Sequence, residues 1–315
     1  MDGTTRQATF AALVAEALAR LHNRRPLRTG SFTLTLWGDA VEPRGGALWL
    51  SSVVRILGLC GFGERLVRTT MTRLSAEGWF EREQHGRRSL YRTAPEAARR
   101  IRAAAARIYA VHGAARPLDW HVLVLPTGCG EQLRRELAWL GFGRLSAEVW
   151  IHPDPDRGRL SELLAREAAD RPALIFRDPV PESTPEALRA LGARAWDLGH
   201  VGEAYRGFVE AFAPWREALA RAVPDPEDAL RGRLLLIHAW RRIVLDDPLM
   251  PRGLLPPEWP GLAAFALCRE VYAALLEPSE RALDLLAPET RSGAAAAREV
   301  LLRRFGGLAA LSAVA

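Results

Sequence analysis

The sequence predicts an α+β protein of several domains, and three observations carry that prediction. An amphipathic stretch from Gly61 to Leu74, with arginines and threonines along one face, runs into a short hairpin. After Arg116-Pro117 the pattern becomes β-α-β-α-β. From about His200 the chain reads as helices joined by proline-rich loops. At 315 residues it is long enough for two or three domains with their own cores.

Residues 5–22 read as one amphipathic helix with an apolar stripe of Phe10, Leu13, Val14, Ala17, Leu18 and Leu21, ended by a polar break from Asn23 to Thr29. Ser31 to Val41 and Leu50 to Leu59 read as two helices, separated by the turn-forming Glu42-Pro43-Arg44-Gly45-Gly46. The next helix can be checked by angle. At 100° per residue Arg65, Arg68, Thr69, Thr72 and Ala76 share about 100° of arc, while Val67, Met71 and Leu74 fall opposite, where a core belongs. Gly63 suits the helix start, and Gly78 after Glu77 suits a C-terminal cap. Trp79 to Gln84 and Arg88 to Thr93 can pair around His85-Gly86-Arg87, with Gly86 supplying the turn. Ala94 to Val111 reads as an Ala/Arg-rich connecting helix whose Ile101, Ala105 and Ile108 stripe suits a partner subunit or the chain's own core.

This first region has the layout of a winged helix-turn-helix, with a recognition helix for the major groove and a basic wing beside it. Long cations and short hydroxyls on one free face reach phosphates and base edges together. The expected DNA-contacting residues are therefore Arg65, Arg68, Thr69, Thr72 and Arg73 on the helix and Arg87 and Arg88 on the wing. Surface helices carry charges everywhere, so the hairpin and the distribution of charge must separate this reading from a merely solvated face. All 43 cations are arginine, a bias of the composition as a whole, so Arg-richness alone says little. Placement says more. Residues 1–107 hold 18 Arg against 9 acids, whereas residues 108–315 hold 25 Arg against 28 acids, so the net charge of +6 comes entirely from the first third.

The second region begins with Trp120 to Leu125, a buried strand, and Glu131 to Leu140, an amphipathic helix. Arg144 to His152 is strand-like, Leu160 to Ala169 helical and Ala173 to Arg177 a strand, which together suggest a ferredoxin-like α+β sandwich. Pro179 to Pro185 reads as a loop and Pro185 to Leu191 as a short helix. In the third region Ala204 to Ala222, Asp228 to Leu245 and Leu262 to Leu276 are helix candidates. No internal repeat stands out. Cys60, Cys129 and Cys268 offer neither a metal spacing nor a disulfide framework, as expected in a reducing cytoplasm, and no apolar run approaches the ~18 residues of a membrane span.

These residues resemble the PaaX family of repressors of phenylacetic acid catabolism. The likeness runs through Gly38-Asp39, Arg44-Gly45-Gly46, Trp49-Leu50, Gly61-Phe62-Gly63-Glu64-Arg65, Val67-Arg68-Thr69, Arg73-Leu74, Glu77-Gly78-Trp79 and Gly86-Arg87-Arg88-Ser89. It continues through Gly141-Phe142-Gly143, Leu235 to His238, Arg241-Arg242, Asp247-Pro248-Leu249, Leu254-Leu255-Pro256, Trp259, Gly261 and Arg304-Phe305-Gly306-Gly307, so it covers nearly the whole chain in order. The resemblance implies an N-terminal winged helix, a central domain like the CRISPR-associated Cas2 proteins and a helical C-terminal domain. The corresponding boundaries are an N-terminal helix (1–29), the winged-helix domain (30–93), a connector (94–116), the central Cas2-like domain (117–198) and a C-terminal effector and dimer domain (199–315). It further implies a cytoplasmic homodimer, with no cofactor, on double-stranded DNA at a palindromic operator. Release would follow binding of an aryl-CoA thioester such as phenylacetyl-CoA. Palindromic binding is physically apt, because a two-fold dimer reads two half-sites.

For such an effector the candidate residues are His238, Arg241 and Arg242, at i, i+3 and i+4 on one side of a helix, with Arg304 beside the glycines Gly306-Gly307. Guanidinium groups suit the phosphates of CoA. The alternative for Arg241 and Arg242 is an internal pairing with Asp246, Asp247 or Glu258. Other function classes remain: a repressor of a different aromatic-acid pathway, an aryl-CoA hydrolase built on His238 and Asp247, which lacks a nucleophile, or a protein-binding module. Cas2-like nucleases carry a metal-binding Asp at the end of the first strand, where this sequence has Val124-Leu125-Pro126-Thr127 and no carboxylate; Asp119 lies at the start. The seven histidines show no ligand spacing, and no phosphate loop or nucleophile elbow appears.

Overall fold

The computed structural model describes residues 9–23, 29–111, 120–168, 172–177, 184–250 and 255–308. Contacts divide the chain into two compact units that do not follow sequence order: residues 1–110 with 208–241 and 265–315, and residues 111–207 with 242–264.

In the first unit α1 (Phe10–Asn23) is held at both ends. Phe10 meets Trp215 edge-on at 5.3 Å and lies so close to Gly232 that a side chain there would collide with its ring. At the other end His22 Nε2 donates to the Cys60 carbonyl at 2.7 Å. Helix α2 (Thr29–Leu36) does not run on as a single α-helix to Val41, as the sequence suggested; Trp37–Val41 form a π-helical turn, followed by a short 3-10 turn at Glu42–Arg44. Such turns displace the normal 3.6-residue register, and here Trp37, Asp39, Ala40 and Val41 are all buried.

Strand β1 (Ala47–Trp49) then leads directly into α3 (Leu50–Leu59). Gly61, at φ 80°, makes the turn, and Gly63 in extended conformation starts α4 (Glu64–Ala76). Glu64 in the first turn complements the helix dipole. Gly78, at φ 77°, ends the segment and feeds β2 (Phe80–His85), β3 (Arg88–Thr93) and α5 (Pro95–Ile108). The sheet order is β1-β3-β2, all antiparallel, with His85 opposite Arg88 across a two-residue loop. Gly86 has φ 59° and Arg87 does not, as a II′-type hairpin requires. Ile101 and Ile108 of α5 are buried in the chain itself, and the Ile108 carbonyl accepts from Trp240 Nε1 at 2.8 Å.

The second unit carries β4 (His121–Val124), α6 (Glu131–Trp139), β5 (Gly143–Arg144), β6 (Val149–His152), α7 (Arg157–Glu167) and β7 (Leu174–Arg177). The antiparallel sheet runs β5-β6-β4-β7, the order of a ferredoxin-like β-α-β-β-α-β unit. The single strand expected over Arg144 to His152 is two, because the Ser146 hydroxyl accepts from the Glu148 and Val149 amides and turns the chain back. Leu123 and Trp150 pack with Leu133, Leu137, Leu160 and Leu163 on the helical side. Ile151 and Trp120 pack with Leu198, Met250 and Leu255 on the other. Residues 112–119, including Asp119, lie outside the described residues, as do most of the expected 179–185 loop and Ala169 at the end of the expected α7.

The remaining helices are α8 (Pro185–Ala195), α9 (Leu198–Leu219), α10 (Pro226–Asp246), α11 (Gly261–Leu286) and α12 (Ala294–Leu302). Helix α11 runs ten residues beyond the expected end at Leu276 and contains Pro278; the Ser279 hydroxyl, donating to the Leu276 carbonyl at 2.8 Å, supports the backbone there. No described helix is long and apolar enough to cross a membrane.

Candidate nucleic-acid interface

Helix α4 buries Val67, Thr70, Met71 and Leu74 and leaves Arg65, Arg68, Thr69, Thr72 and Arg73 exposed, the division expected from its periodicity. The exposed side chains are partly pre-set. Arg68 grips Glu64 one turn back, with Nε at 2.8 Å and Nη2 at 2.7 Å. Arg73 is held by Glu77 at 2.7 Å. The Thr69 and Thr72 hydroxyls donate to the carbonyls of Arg65 and Arg68, leaving their lone pairs outward. Exposed i,i+4 pairs are worth only a few tenths of a kcal/mol, so a phosphate can displace them.

The hairpin beside α4 ends in Arg87 and Arg88, both exposed. Arg88 is positioned by a side chain that sequence reading did not single out for this purpose. Its guanidinium carbon lies 4.1 Å from the Trp49 ring centroid, and His85 meets the same indole edge-on at 5.4 Å. Trp49, at the end of β1, thereby braces the hairpin tip. Arg92 and Glu83 pair at 3.0 Å across the strands.

The four residues expected to meet an effector have different settings. His238 is buried, shares a 2.9 Å hydrogen bond with Thr35 on α2 and packs against Phe32. Arg241 donates to the hydroxyl and carbonyl of Ser31 at 2.8 and 3.2 Å, a partner outside the acids Asp246, Asp247 and Glu258. Arg242 is exposed. Trp240 is fully buried, as its phase on the helix implied. Arg304 is buried and its guanidinium is taken up inside the protein, which does not fit the phosphate-contacting role expected of it. The Gly306-Gly307 neighbourhood gave no hint of this, because the partner lies 265 residues away.

That partner is Asp39, in the π-helical turn. Arg304 Nη1 and Arg233 Nε reach its two carboxylate oxygens at 2.6 Å each, with Tyr109 and Tyr272 hydroxyls adding bonds of 2.6 and 3.1 Å. Arg233 continues to Glu280 at 2.5 Å, Glu280 to Arg44 at 2.6 Å and Arg44 to Asp284 at 2.7 Å. Three cations alternate with three carboxylates. Burial opposes ionisation of Asp39, but Arg233 and Arg304 overcome it and hold the carboxyl below its ordinary range. Burial likewise opposes the ionisation of Glu280, and Arg233 and Arg44 overcome it and hold that carboxyl below its ordinary range too. Sequence reading missed the network because charged residues tens to hundreds of positions apart leave no periodic trace.

The three cysteines are free thiols. Burial pushes Cys60 up to about 12 and raises Cys268 as well, so neither is poised as a nucleophile. Asp247 accepts from the Tyr205 hydroxyl at 2.6 Å and from the Leu249 amide at 2.7 Å.

Comparisons with known proteins match this arrangement in three places. Residues 28–97 match the PaaX-like protein family, residues 130–188 the PaaX protein central Cas2-like domain, and residues 196–285 the PaaX-like protein C-terminal domain. The chain is 35% identical over 299 residues to the transcriptional repressor PaaX of Escherichia coli strain K12, covering 91% of this chain and 92% of that one. Among solved structures, the uncharacterized protein Rv0674 from Mycobacterium tuberculosis aligns with a TM-score of 0.46 and 23% identity over 86% of this chain and 97% of that one. With three ordered matches and a relative aligned over nearly its full length, the chain belongs to the PaaX family.

Proposed function

We propose that this protein is a DNA-binding transcriptional repressor of an aromatic catabolic operon, with α2–α4 and the β1-β3-β2 sheet acting as a winged helix-turn-helix. The observation that carries the reading is the exposed Arg65, Arg68, Thr69, Thr72 and Arg73 face of α4 beside a hairpin tipped with Arg87 and Arg88. The name of the Escherichia coli relative supports repression, and a regulator rather than an enzyme. In this reading α4 enters the major groove and the hairpin arginines follow the phosphates or the minor groove. A homodimer reads a palindromic operator, and an aryl-CoA such as phenylacetyl-CoA releases it.

Among the four residues first considered for the effector, Arg241 and Arg242 remain the candidates to contact it. His238 and Arg304 are buried and are not counted among them. A mobility-shift assay on a palindromic promoter fragment tests the DNA end. Arg68→Ala is expected to keep the fold and weaken binding by about 1–3 kcal/mol where Arg68 reads a base edge, or to lower the salt slope by about one where it meets a phosphate. Unchanged affinity and slope at physiological salt would remove α4 from the interface.

A further inference from the structure

The second unit contains an open cavity of about 490 Å³, within the size range of small-molecule sites. Helix α8 contributes Arg189, and α9 contributes Gly199, Gly202 and Arg206, spaced to share one helical face. The segment from Pro256 to Pro260 contributes Glu258 and Trp259.

The indole is held from behind. A methyl at Gly202 would come within 3.3 Å of its ring, and one at Gly261 would strike its edge, so both glycines admit it closely. Tyr205 meets Trp259 edge-on at 5.8 Å, and the Tyr205 hydroxyl is fixed by Asp247 at 2.6 Å. Asp247 in turn accepts the amide of Leu249, a non-glycine residue at φ 53°. The Asp247-Pro248-Leu249 turn, the glycines and Trp259 thus form one brace for one wall.

The two arginines are available to a ligand. Arg206 is exposed and has no ion pair among the described residues, while Arg189 has only a 3.5 Å surface contact with Glu186. A braced indole offers a stacking face, two guanidinium groups offer forks for phosphate oxygens, and the Glu258 carboxylate offers an acceptor for a hydroxyl or amino donor. A nucleotide supplies all three complements: a planar base, phosphates, and ribose and amino donors.

We propose that this cavity binds an adenine nucleotide moiety, the chemistry shared by free ADP and by coenzyme A thioesters. The proposal rests on the effector reading above only for which of those sources is the biological one. It assigns ligand contact to Arg189, Arg206 and Trp259, separate from Arg241 and Arg242.

Isothermal titration of the full-length protein with ADP, coenzyme A, phenylacetyl-CoA and free phenylacetate tests it, paired with mobility shifts. The expected result is binding of the nucleotide-bearing ligands and not of phenylacetate, with an affinity loss of at least about tenfold (1.4 kcal/mol) in Arg206→Glu. DNA binding without ligand should be unchanged in that variant. Trp259→Ala removes the centre of the brace itself, so Arg189→Glu, at a part-exposed position, provides the second readout. Nucleotide affinities unaltered in both arginine variants, or no nucleotide binding to the unaltered protein, overturn the cavity assignment. If phenylacetyl-CoA still releases DNA from both arginine variants, the effector reading survives without the cavity. If ADP binds through Arg206 but no CoA thioester releases DNA, the cavity survives and the effector reading fails.

Discussion

The Asp39 carboxylate accepts from two guanidinium groups and two phenols, and its side chain has no solvent exposure. A carboxylate in such a place is stabilising only while both arginines face it, and each arginine in turn depends on it. Asp39→Asn keeps the shape but leaves Arg233 and Arg304 undercompensated in a dry interior. The expected cost is about 3–5 kcal/mol, the range for breaking a buried pair by removing one partner. Urea unfolding followed by far-UV circular dichroism measures it, and a loss below about 1 kcal/mol would show that water reaches these arginines. Glu280→Gln should cost less, because Glu280 retains partial exposure. Nothing at the residue level announced Asp39 in advance. It was a member of a family-like Gly38-Asp39 pair, and its chemistry appears only once Arg233 and Arg304 arrive from distant helices.

The hairpin is the element whose placement depends on a neighbour of little apparent importance. Arg88 on β3 lies against Trp49 of β1, and His85, its cross-strand partner at the turn end of β2, meets the same ring. Trp49→Ala should leave the β2–β3 register intact, since that is fixed by six residue pairs, while letting the tip swing. In the repressor reading, Trp49→Ala and Arg88→Ala should each lower DNA affinity, and the double variant should be little worse than either alone, because both remove the same positioned cation. Additive losses in such a cycle would mean that Trp49 does not position Arg88. Elements with strong local periodicity were legible from the sequence: α4, both hairpin strands and β4 fall within about two residues of their expected bounds. Others were not. Strand β1 is three residues long and too short to alternate. The π-helical turn hides inside an apolar run that reads equally well as α-helix. Helix α11 crosses Pro278, where the usual rule stops a helix, because tertiary packing of Ala282 and Leu283 holds its last turns. The cavity was illegible for a different reason: glycines and prolines mark turns in a sequence, and only the fold makes them a floor.

At the scale of the molecule, ordering three stretches of chain into one unit around ionised groups makes stability depend on pH from both sides. Asp39 and Glu280 have depressed values, against ordinary ones of 3.8 and 4.5. Groups of that kind contribute fully above their ordinary values, and the contribution is lost as pH falls through the depressed ones. Tyr109 and Tyr272 are displaced the other way. Burial pushes both phenols above the ordinary 10.0, against the pull of Arg304 on each, and Asp39 adds to the rise. An acid whose folded value is raised favours the native state below its ordinary value and weakens it as pH rises beyond, because the unfolded chain releases the proton first. The melting temperature should therefore form a plateau between about pH 5 and 9, fall on the acid side below about pH 4.5 and fall again above about pH 10. The acid limb is shared with every carboxylate in the chain, and the alkaline limb with the buried thiols of Cys60 and Cys268, so a single phenol must be removed to see its part. Tyr109→Phe isolates it. The variant loses one hydrogen bond to a charged acceptor, about 1.5–3 kcal/mol, at all pH values where the wild type is intact. It also loses one ionisable phenol, so its alkaline decline should be shallower and the two curves should converge above about pH 10. Parallel curves across that range would show that Tyr109 ionises in the folded protein as readily as in the unfolded chain, and the network around Asp39 would then not be as closed to water as its geometry requires.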